Sequence, residues 1–159
     1  IMSAKYSGPI DFAKDLVSAI KTDPMVTSAI SGEFPGKTLK YFIGLDDQKL
    51  PSSDDCPHLA FMPGDYQIKQ MSGVRMAEKS CNLQCSLVIS SGDKPEPDSG
   101  GMTSFKGLEK LERIVPVIIQ AMQPMVLELG KYGKFGPINT EIAFPLFRAS
   151  WTIEAVDEY

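Results

Sequence analysis

The sequence predicts an α+β fold, a mainly antiparallel sheet packed against two principal helices. Three observations predict it. Two stretches carry apolar residues at helical spacing, near the N-terminus and past the middle of the chain. Several stretches between and after them alternate apolar with polar residues. The middle alternating stretches are joined by hairpin-length connections, which favour antiparallel pairing.

The first helix is expected over 11–22. Ile10, Phe12, Ala13, Leu16, Val17 and Ile20 fall on one face, and Lys14, Asp15, Ser18 and Lys21 on the other. Pro9 stands just before it, and Asp23-Pro24 is expected to stop it. Residues 26–30 fit either a further helical turn or the start of a strand.

Leu39, Tyr41, Ile43 and Leu45 alternate with Lys40, Phe42 and Gly44, the pattern of a strand over 39–45. A polar loop follows over 46–57. Runs 58–62 and 66–76 are expected as strands separated by a turn at Pro63-Gly64-Asp65. Over 82–90, Leu83, Cys85, Leu87 and Ile89 share one face of a further strand. The stretch 91–103 is polar and rich in Pro and Gly, and reads as a long loop.

The second helical region spans 105–130, with Leu108, Leu111, Val115, Ile118, Ile119, Met122, Val126 and Leu129 at helical period. Pro116 and Pro124 each remove a donor within it, so a kink or a break into two helices is expected. Residues 131–137 (KYGKFGP) read as a turn, and 139–144 and 147–156 as strands joined at Pro145-Leu146. In the last, Phe147, Ala149, Trp151, Ile153 and Ala155 alternate with Arg148, Ser150, Thr152 and Glu154, the clearest half-buried strand in the chain.

At 159 residues the chain has the size of one domain, 1–159, able to bury its apolar surface around one core. Its formal charge of −4 provides no global attraction to nucleic acid, and no window holds a basic run. Lys106, Lys110, Glu109 and Glu112 intermix as on a solvated helix face. No stretch reaches the roughly 20 apolar residues of a membrane span. Residues 1–9 lack the apolar run of a signal peptide, and Met2 after Ile1 reads as the native start. Three cysteines without an export signal then fit free thiols in a reducing cytoplasm.

Each candidate for chemistry has a plainer explanation beside it. Cys81 and Cys85 lack the spacing of a zinc knuckle; on a straight strand they would lie about 13 Å apart, too far to share an ion. His58, the only histidine, follows Cys56 by two residues, so on a strand the two side chains share a face. No recognised signature surrounds either, and a structural histidine at a strand start is the simpler reading. The carboxylate pairs Asp46-Asp47 and Asp54-Asp55 lie in a polar loop without the spaced oxygens and turn glycine of a calcium loop. Ser99-Gly100-Gly101 has the spacing of neither common phosphate-binding loop. Met62, Met71, Met76, Met122 and Met125 sit in apolar patterns as core filler, or as an adaptable interface. No catalytic, cofactor-binding or metal residue is assigned. Three readings stay open: an assembly protein, a small bacterial binding or accessory domain, or an enzyme assembled from His58, Cys56, Asp54, Asp65 and Arg75.

The order of elements resembles the tail terminator (tail-tube capping) proteins of long-tailed phages and prophages. The segments that carry the likeness are 10–20, 57–62, 83–89, 108–122 and the closing FRASWTIEA of 147–155. It lies in layout and patterning over most of the chain, from which the two prolines of the long helix and the loop 91–103 depart. The resemblance implies a structural protein that forms a six-membered ring on the end of the tail tube. Its partners would be its own copies, tail-tube protein on one side and head-connector proteins on the other. It implies no catalysis and no cofactor, and a protein of the bacterial cytoplasm that enters the virion on assembly. On this reading the loops 46–55 and 91–103 lie on the surface at subunit or partner contacts.

Overall fold

The computed structural model describes residues 8–44, 52–70, 77–93, 96–97, 100–128 and 132–158. The fold is α+β, with a mixed sheet and, among the described residues, three helices. Helix α1 spans Pro9–Thr22 and buries Phe12, Ala13, Leu16 and Ile20, the stripe its periodicity predicts. Asp23-Pro24 ends α1 and at once begins α2, Pro24–Glu33. The Asp23 carboxylate accepts a hydrogen bond from the Met25 N–H at 2.8 Å, and Pro24 occupies the first turn, where its missing donor costs nothing. The ambiguous 26–30 is therefore helical. Arg113 of the long helix ties α2 down, with its Nη2 donating to Glu33 Oε2 at 3.0 Å.

The strands are β1 (Lys40–Ile43), β2 (His58–Gln70), β3 (Ala77–Ser90), the short pair β4 (Glu96–Pro97) and β5 (Thr103–Ser104), then β6 (Tyr132–Phe135), β7 (Asn139–Ala143) and β8 (Leu146–Glu158). The main sheet runs β1-β2-β3-β8-β6, with β7 also on β8. Every neighbouring pair is antiparallel except β1 with β2, which is parallel. Since β3 holds one edge of β8, β6 and β7 follow one another along the other edge, opposite β1.

Four expectations are corrected here. Pro63-Gly64-Asp65 is not a turn between two strands. It is a bulge inside β2, where the register to β3 shifts between Pro63 and Tyr66. Gly64 lies so close to β3 that a Cβ would stand 2.9 Å from the Asn82 carbonyl oxygen. Residues 131–137 are not simply a turn, because Tyr132–Phe135 pairs with β8. There Lys134 Nζ lies 3.4 Å from Glu154 Oε2, its register partner, and the Gly136 N–H donates to Thr152 O at 2.7 Å. The stretch 91–103 is not all loop, since β4 pairs with β5. Finally, of the kink or break expected at the prolines, the break into two helices does not occur: α3, Lys106–Leu127, is one helix containing both. Pro116 and Pro124 are exposed, as are Glu112 and Gln120, whose carbonyls lose their donors, so water can serve those carbonyls.

The core lies between one sheet face and the helices. Leu59 and Phe61 of β2 stand in register with Leu87 and Cys85 of β3, which in turn face Ala149 and Trp151 of β8. All are buried, together with Leu111, Ile114, Ile118, Met122 and Val126 of α3. Burying each large apolar side chain contributes roughly 1.5–3 kcal/mol, so this interface is the main source of stability. The opposite sheet face carries Gln84, Ser86, Arg148, Ser150 and Thr152, whose alternation with the core residues is the pattern of a sheet packed on one side.

Candidate functional site

Of the residues considered for chemistry, the structure brings Cys56 and His58 together. A short 3-10 turn, Ser53–Asp55, leads into them through a capping box: the Ser52 N–H donates to Asp55 Oδ2 at 3.0 Å, and the Asp54 N–H to Ser52 Oγ at 3.3 Å. Lys40 Nζ binds Asp55 Oδ1 at 3.3 Å, fastening this turn to β1. Cys56 Sγ then lies 3.8 Å from His58 Nδ1, and both side chains are buried. Phe42 of β1 stands edge-on to the imidazole, with ring centroids 5.3 Å apart.

This environment favours the neutral form of both groups. Burial pushes the Cys56 thiol up, with the nearby lysines opposing and Asp55 reinforcing the shift. Burial pulls the His58 imidazole down, opposed by the charge of Asp55. An activated cysteine needs the reverse, a thiolate held by a cationic partner. The pair is therefore a thiol beside a neutral ring, fit for packing and a weak hydrogen bond rather than for nucleophilic attack.

One pH effect follows. The folded imidazole takes up its proton below the ordinary value of 6.5, so the unfolded chain binds more protons in the interval between the two values. Stability from this source is complete above 6.5 and is lost as the pH falls below it. His58→Gln is expected to reduce the loss of urea midpoint between about pH 7.5 and about pH 5. An unchanged loss would place the effect on other groups.

The remaining candidates do not converge on this pair. Asp54 is exposed. Asp46, Asp47 and Arg75 lie outside the described residues, as does the side chain of Asp65. Cys85 is buried in the core, where burial pushes its thiol well up, and Cys81 is half-buried four positions earlier on the same strand. Among the described residues no three His, Cys, Asp or Glu side chains cluster as metal ligands. Gly100 and Gly101 are exposed, and Gly101 takes a positive φ of 79° between β4 and β5. Met122 is core, Met125 is half-buried and Met62 is exposed; Met71 and Met76 lie outside the described residues.

What the sequence reading missed is the character of the two sheet edges. At β1, Lys40 N donates to Pro57 O and Gly44 N to Phe61 O, so the alternate residues Tyr41 and Ile43 turn their N–H groups away from β2. Beside this edge, free among the described residues, lies a groove of about 690 Å³. Ile20, Val26, Ile30 and Leu39 line it together with Lys21, Lys37 and Lys40, and no acidic residue does. Tyr41 lies in its wall under Lys21, whose Nζ is 5.4 Å from the ring centroid, and burial raises the phenol to about 12.

At the other edge every residue of β7 is exposed. A smaller groove of about 310 Å³ runs beside it, lined by Leu108, Leu111, Val115 and Pro116 of α3 with Ile138 and Thr140. Its charged lining residue is Glu112. Among the described residues, no helix is long and apolar enough to cross a membrane.

No protein-family model matches the chain. No curated protein matches it. Among solved structures it is similar to a chain of the virion of a native gene transfer agent particle. The identity is 10%, the match covers 91% of this chain and 92% of that one, and the TM-score is 0.51. The likeness is one of fold, nearly end to end on both chains.

Proposed function

We propose that this chain is a structural protein of a phage or phage-like particle, of the tail-terminator kind. It acts as one domain, 1–159, and forms a six-membered ring on the end of a tail tube. Its partners are its own copies, tail-tube protein and head-connector proteins, and its place is the bacterial cytoplasm before assembly and the virion after. It carries no catalytic residue, metal or cofactor. The observation that carries this reading is the near-complete structural match to a chain of a gene transfer agent virion. Two features of the molecule support it. The Cys56–His58 contact favours the neutral form of both groups, against nucleophilic chemistry, and strand edges that are free among the described residues flank the sheet on both sides.

Negative-stain electron microscopy of the concentrated full chain tests the ring. Closed rings of uniform diameter are expected, while isolated particles or open filaments would contradict the reading. The β4–β5 tip is assigned to a subunit or partner contact. Deleting residues 95–101 is expected to leave the thermal melt nearly unchanged and to reduce ring formation; unchanged assembly would remove this tip from the interface.

A further inference from the structure

We propose that copies of this chain join head to tail through the two free edges of the sheet, β1 of one copy adding to β7 of the next. This rests on the self-assembling reading above and names its interface. Eight large hydrophobic residues are exposed among the described residues, and four of them mark these edges: Ile43 on β1, Ile138 just before β7, Ile142 within it and Phe144 just after it. Strand edges with free backbone groups and apolar side chains are templates for pairing with another chain, a hazard where no partner exists. The lengths match, four residues in β1 and five in β7.

Charge identifies the partner as a second copy. Among the described residues the groove beside β1 is lined by three lysines, of which Lys40 is paired with Asp55, and no acid, and the groove beside β7 by Glu112 and no base. Neither Lys37 nor Glu112 is in an ion pair among the described residues. Glu141 on β7 is already paired with Arg148 of β8, so Glu112 carries the free negative charge at this edge. Setting one edge against the other brings opposite charges together around an apolar strip. Because the edges lie on opposite sides of the same sheet, the contact is between unlike surfaces. Such a contact leaves a free edge at each end and continues until the assembly closes.

The test uses two full-length variants, Ile43→Lys and Ile142→Lys, each placing a charge on one exposed edge, with sedimentation velocity read alone and in equimolar mixture. Thermal melts establish that each variant is folded, and Ile43→Ser and Ile142→Ser replace any that is not. The wild type is expected to associate, and each variant alone to associate at least about tenfold more weakly. Mixed, the two variants are expected to form a one-to-one dimer, because each retains the edge the other has lost. Association of both single variants like that of the wild type, or no dimer in the mixture, would overturn the edge pairing and leave self-assembly standing. A wild type that stays monomeric throughout would overturn both.

Discussion

Trp151→Ala is expected to lower the unfolding free energy by about 3–5 kcal/mol, the range for truncating a buried Trp or Phe. Trp151 sits midway along β8 opposite Cys85, with 2% of its surface exposed, in the layer shared by the sheet and the helices. At roughly 2–4 °C per kcal/mol for a chain of this size, its melting temperature is expected to fall by about 6–20 °C. The companion variant separates packing from hydrogen bonding. Trp151 Nε1 has no hydrogen-bond partner among the described residues, so the indole carries a desolvated donor that contributes nothing. Trp151→Phe removes that donor while keeping most of the ring, and its cost is expected to stay within about 1.5 kcal/mol. Urea unfolding measures both. Equal costs for Ala and Phe would mean that the indole N–H makes a bond the protein depends on.

Gly107→Ala is the second large effect, and its sign runs against helix propensity. In an exposed helix interior the change would stabilise by about 1 kcal/mol. Here an added Cβ would stand 2.3 Å from two ring atoms of Phe147. The ring is buried and packed against Phe105 and Phe144, at centroid distances of 5.9 and 6.4 Å, so it has little room to retreat. The clash outweighs the propensity, and a net loss of about 1–3 kcal/mol is expected. A variant as stable as the wild type would show that the start of α3 shifts away from β8 at little cost.

What the sequence revealed of the fold was set by local periodicity. The stripe of α1 and the alternation of Leu83 to Ile89 and of Phe147 to Ala155 appear in the structure as buried faces. Each depends only on side chains a few positions apart. The misreadings came where a distant segment decides. Tyr132–Phe135 is a strand because β8 offers it an edge, and Pro63-Gly64-Asp65 is a bulge because β3 continues past it. The prolines of α3 do not break it because their side of the helix faces solvent, which sequence alone does not state.

The candidate site divides in the same way. The meeting of Cys56 with His58 was legible from their two-residue spacing on a strand. Their neutrality was not, since it comes from burial that includes Phe42 of a neighbouring strand. The free edges were hidden for the same reason. Nothing within KYFI or NTEIA says that, among the described residues, each pairs on one side only, because strand order is a property of the whole sheet.

Light scattering of the 159-residue chain across a wide concentration range, with and without magnesium, reads self-assembly directly. A rise is expected from the monomer mass of 17.4 kDa to a plateau at a fixed multiple of it, the mark of a closed ring. A monomer mass at every concentration, or growth without a plateau, would contradict it.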